Sequence, residues 1–62
     1  MSAAVFVETL RKRLVQAVEA EEATINAGAL DFEGYKMRTG LRRGLVMAQD
    51  LVEQVLRDYQ KN

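Results

Sequence analysis

The sequence predicts an all-α fold, an antiparallel two-helix hairpin whose apolar faces need further protein to cover them. Three observations predict it. Apolar residues recur with the period of an α-helix over two long stretches, one glycine-containing break separates them, and no proline interrupts either.

The first stretch covers about residues 3–26. Ser2 is placed to cap it, its hydroxyl able to accept a hydrogen bond from a free backbone N–H of the first turn. Phe6, Val7, Leu10, Leu14, Ala17, Val18 and Ile25 fall within roughly 120° on a helical wheel, and Glu21 and Thr24 sit inside the same stripe. A period of two fails throughout, so a strand is a poor reading. Helix 1 ends in the turn of about residues 27–31, where either Gly28 or Asn26 can adopt the left-handed conformation that terminates a helix. Asp31 then stands at the N-cap position of helix 2, with Glu33 in its first turn favoured by the helix dipole.

Helix 2 runs over about residues 32–60. Its stripe is Met37, Leu41, Leu45, Ala48, Val52, Val55 and Tyr59, broadened by Leu51 and Leu56. The stripe spans roughly 140°, more than one neighbouring helix covers. A bend this short between two helices favours an antiparallel pair. Charge order agrees in part. A bend near Gly28 brings Glu19 and Glu22 alongside Lys36 and Arg38, and puts the cluster Arg11, Lys12, Arg13 within partial reach of Asp50. Asp50, Glu53 and Asp58 read as surface carboxylates, and Val46, Val5 and Val15 lie off the main stripes.

Size makes the uncovered surface matter. At 62 residues the chain is below the length at which one core is comfortably self-sufficient. With no cysteine and no histidine, neither a disulfide nor the usual zinc site is available to it, and no carboxylate run has the spacing of a calcium loop. No cofactor is expected. That leaves oligomerisation into a four-helix-bundle-like assembly, or docking on a larger protein, as the source of stability. Nine basic and nine acidic residues balance, which argues against a generic polyanion binder. No segment has the ~18 apolar residues of a membrane span, and the amino terminus does not read as a signal peptide. The expectation is a soluble protein acting where it is made, with no membrane and no small-molecule substrate.

The features that bear on function lie mostly in helix 2. Gly40, Gly44 and Ala48 repeat at every fourth position, and two mid-helix glycines cost about 1 kcal/mol each relative to alanine. They imply either a close helix crossing or a local kink. The expected interface is Leu41, Gly44, Leu45, Ala48, Val52 and Val55. Lys36, Arg38, Arg42 and Arg43 form a basic segment that either meets phosphates, with Tyr35 or Phe32 to stack on a base, or is salt-bridged and solvated. Glu21 reads as an acid set in the apolar face of helix 1, paired with Lys36 or Arg38. Phe32 and Tyr35 are expected to cover the open end of the hairpin, with anchoring in a partner's pocket as the alternative. A lone carboxylate without a partnered nucleophile or base makes no catalytic constellation, so no enzyme is expected.

The run Phe32, Glu33, Gly34, Tyr35, Lys36, Met37, Arg38, Thr39, Gly40, Leu41, Arg42, Arg43, Gly44, Leu45, Val46, Met47, Ala48 resembles a family of small helical-hairpin proteins that tailed bacteriophages encode among their virion-assembly genes. The shared pattern is an aromatic, a tyrosine, then Gly-x-x-x-Gly-Leu-x-x-Ala ahead of an apolar helix ending, and it covers about the second half of the chain. The resemblance implies a non-enzymatic, multi-copy virion structural or assembly accessory that contacts itself or a larger capsid, portal or tail protein, in the virion or in the host cytoplasm during assembly. The alternative from the residues alone is a small cytoplasmic regulatory dimer binding nucleic acid or a host protein.

Overall fold

The computed structural model describes residues 2–61, in two helices, α1 (Ala3–Asn26) and α2 (Phe32–Lys61). They lie side by side as an antiparallel hairpin measuring 47 × 20 × 13 Å, which is two helices wide and one helix thick. The bounds match those expected from periodicity and capping to within a residue.

Local chemistry accounts for each end. Ser2 has extended backbone, and its Oγ accepts from the Val5 N–H at 3.2 Å, so α1 starts on a side-chain cap. At the other end Ala27 stays right-handed and its N–H donates to Ala23 O. Gly28 takes the left-handed turn with φ of +72°, and Asn26 remains helical, which resolves the choice left open by the sequence. Asp31 caps α2, its Oδ1 accepting from the Gly34 N–H at 2.7 Å. Glu33 lies in the first turn of α2.

Despite Gly40 and Gly44, α2 is one continuous helix.

No residue among those described is fully buried. The hairpin has a seam, but no core. On α1 the half-buried positions Val7, Arg11, Leu14, Val18, Glu21 and Ile25 follow each other at steps of four and three. On α2 the corresponding row is Arg38, Arg42, Leu45, Gln49, Val52 and Leu56, all half-buried except Arg42. That alternation is the spacing of two helices packed along a shallow supercoil. Among the described residues, ion pairs cross the seam at Arg11–Glu53, Glu21–Arg38 and Glu22–Arg42.

Those pairs revise the expected charge register. Arg11 reaches Glu53 at 2.7 Å and not Asp50, so Glu53 is a bridging residue and not simply surface. Glu22 meets Arg42 where Lys36 or Arg38 was expected. Lys36 instead lies over the Phe32 ring, 5.4 Å from its centroid, a cation–π contact within one turn.

Candidate protein–protein interface

The two faces of the hairpin differ sharply, and the sequence arithmetic shows why. One residue is a rotation of ~100° about a helix axis. Stepping back one residue from each α2 seam position gives Met37, Leu41, Gly44, Ala48, Leu51 and Val55. The same step on α1 gives Phe6, Leu10, Arg13, Ala17, Ala20 and Thr24. Viewed end-on, antiparallel helices turn in opposite senses, so both rows leave the seam on the same side of the hairpin. Only Arg13 among the twelve carries a charge.

Stepping forward one residue instead gives Glu8, Lys12, Val15, Glu19, Glu22 and Asn26 on α1, and Thr39, Arg43, Val46, Asp50, Glu53 and Arg57 on α2. This is the charged face. Two open grooves on that side bear out the handedness. One is lined by Glu8, Lys12 and Val15 together with Asp50 and Glu53, the other by Glu22 and Asn26 with Thr39.

The apolar face is wet. Leu51 is 60% exposed and Val55 66%, with Phe6, Leu10, Met37 and Leu41 exposed beside them. At the middle of the face the side chains are small: Ala17 from α1, Gly44 and Ala48 from α2. A Cβ added at Gly40 or Gly44 meets nothing within 4 Å, so the glycines are not required by packing inside the hairpin. Their cost of about 1 kcal/mol each in helix propensity has no return within one copy of the chain.

The residues expected at the interface therefore divide. Leu41, Gly44 and Val55 lie on the outward apolar row, with Ala48 half-buried among them. Leu45 and Val52 belong to the seam against α1. Leu51, counted in the sequence only as broadening the stripe, stands at the centre of the outward row's second half. The signal that separates the two rows is their one-residue offset, which hydropathy alone merges into one wide stripe.

The basic segment is also divided. Arg38 and Arg42 are held in the seam by Glu21 and Glu22, Lys36 sits over Phe32, and Arg43 lies on the charged face. These four side chains do not converge on one surface. Glu21 takes Arg38 of the two partners open to it, with its side chain only 16% exposed. The Nε of Arg38 is shielded and meets no acceptor, so this pair is incompletely satisfied. Arg11 lies between Glu53 and Glu8, and its pKa is raised above the usual guanidinium value by the charge of Glu53 first and of Glu8 second. Phe32 and Tyr35 start α2 and so stand at the bend, not at the open end, with Phe32 72% exposed and Tyr35 half exposed.

Among the described residues no helix is long and apolar enough to cross a membrane. No family model, curated protein or solved structure matches the chain. What the fold and the site define is a helical hairpin with one charged face and one apolar face.

Proposed function

We propose that this chain is a non-enzymatic interaction protein, a virion structural or assembly accessory of a tailed bacteriophage. It works by helix–helix contact with itself or with a larger capsid, portal or tail protein. The observation that carries the reading is the two-faced hairpin: two rows of six positions with one charge between them, nine of the twelve exposed, where no described residue is completely buried. A protein whose stability requires other protein is suited to assembly, where its folding and its docking become one event.

The phage setting rests on the resemblance of Phe32 to Ala48 to small hairpin proteins of virion-assembly genes. The glycines fit that reading, because Gly40 and Gly44 permit close backbone approach from a neighbouring helix. The grooves on the charged face are open to solvent, unlike the enclosing pockets that usually hold a small-molecule substrate.

Mass analysis of purified particles beside the free protein tests the proposal. Several copies per particle are expected. A chain found only in the soluble fraction of infected cells, and never in particles or assembly intermediates, would remove the virion role.

A further inference from the structure

We propose that the apolar face is covered by a second copy of this chain, packed face to face with the bends at opposite ends, so that α2 runs antiparallel to its mate across a two-fold axis. The inference rests on the reading of this face as an interface and names its occupant.

Area points to an occupant of this size. A compact folded chain of this mass exposes roughly 4,000 Å², whereas this hairpin exposes 5104 Å². The excess is on the order of 1,000 Å², comparable to the ~800 Å² per partner of a stable protein interface. A hairpin in which no described residue is completely buried needs about that much more coverage.

Spacing fits the same sequence as the occupant. Met37, Leu41, Gly44, Ala48, Leu51 and Val55 are separated by four, three, four, three and four residues, a pattern that reads identically from either end. Turned end for end about the level of Val46, the row meets itself in register: Met37 opposite Val55, Leu41 opposite Leu51, Gly44 opposite Ala48. A two-fold interface demands this self-complementarity, because each contact is made twice. The small pair falls at the axis, where the two helices come closest.

Bulk selects the opposed ends. In one copy, Phe6, Leu10, Leu51 and Val55 crowd the open end of the face, while Met37, Leu41, Ala20 and Thr24 occupy the bend end. With bends together, the bulky ends would meet and splay the pair. With bends opposed, each bulky end meets a slighter one and the spacing is even along the bundle. The ion pairs Arg11–Glu53 and Glu22–Arg42 place Val46 about level with Val18 on α1. The opposed arrangement then stacks α1 on α1 of the mate about the level of Val18, as it stacks α2 on α2 about Val46.

The test combines sedimentation with a distance between spin labels on a Gln60→Cys variant, a position fourteen residues from the axis. Opposed bends place the two labels roughly 42 Å apart at 1.5 Å per residue, and bends together place them within roughly 15 Å. The expected result is a dimer with the long distance. Leu51→Glu should raise its dissociation constant at least 100-fold, while Val15→Glu, on the charged face, should leave it within about 3-fold. A dimer with the short distance, a dimer indifferent to Leu51→Glu, or a folded monomer would each overturn the proposal. Particle analysis is independent of these outcomes, so the virion role and the dimer can fail separately.

Discussion

Arg38 spans the hairpin to Glu21, its Nη1 lying 3.1 Å from Oε1 and 3.3 Å from Oε2 of the carboxylate. The pair sits beside Val18, Ile25 and Leu45 in the half-buried rows, where both charges lose part of their hydration. It is a register device more than a source of stability, because desolvation offsets much of the Coulomb gain.

Breaking the pair from one side should therefore cost more than removing it. Glu21→Ala is expected to destabilise by about 1–2 kcal/mol, between the ~0–1 of an exposed pair and the ~3–5 of a fully buried one. The double change Glu21→Leu with Arg38→Met should be at least as stable as the parent, since it also removes the unsatisfied Arg38 Nε. Denaturant titration of the two singles and the double closes the cycle. A double variant weaker than either single would show that the pair contributes net stability.

The outer ion pairs behave differently. Glu22 and Arg42 both keep over two-fifths of their side-chain surface in water. Arg42→Ala should shift stability by no more than about 1 kcal/mol, and less in high salt. A loss of several kcal/mol in urea titration would place Arg42 in a contact that the hairpin alone does not explain.

The bend depends on one backbone angle. Gly28 has φ of +72°, and the space around its missing Cβ is open, so substitution there is resisted by conformation and not by crowding. Gly28→Ala should cost about 1–2 kcal/mol, and Gly28→Asn less. At Asp31, alanine should cost about 1 kcal/mol through the lost cap on Gly34. Thermal melts at fixed protein concentration measure both.

The two mid-helix glycines should separate by sign. Gly40 lies just off the outward row, and Gly40→Ala should stabilise the helix by about 1 kcal/mol. Gly44 lies on the row near the axis of the proposed pair, where Gly44→Leu should weaken association despite its better helix propensity. Helicity at high concentration, read against dissociation on dilution, distinguishes the effects. An unchanged dissociation constant for Gly44→Leu would remove Gly44 from the interface.

With Arg38 and Arg42 turned into the seam, tight nucleic-acid binding is not expected. Fluorescence anisotropy with duplex and single-stranded probes should show only weak association, with a shallow salt dependence. Steep salt-dependent binding abolished by Arg43→Glu would instead support a regulatory role.

The helices were legible because their signals are local. Ser2, Gly28 and Asp31 each act within a few residues, and the helical period needs no knowledge of the fold. The direction of each apolar residue was not. Leu45 follows Gly44 by one position, and hydropathy merges the two into one stripe until a neighbour divides them. Charged seam residues were hidden for a related reason. Arg11, Arg42 and Glu53 look like surface in any scale that scores residues singly, and only the register between helices pairs them. The glycines posed the clearest long-range question, since two costly residues at close spacing are explained by a close approach or by a kink. The sequence does not say which element makes that approach.

The claim that the apolar face must be covered is tested most directly by following helicity and mass together on dilution, by circular dichroism and sedimentation. The account predicts a species of twice the 7.0 kDa chain mass at tens of micromolar, with helicity falling and the melting midpoint dropping as the dimer dissociates. A 7.0 kDa monomer that melts cooperatively, with a midpoint independent of concentration, would contradict it.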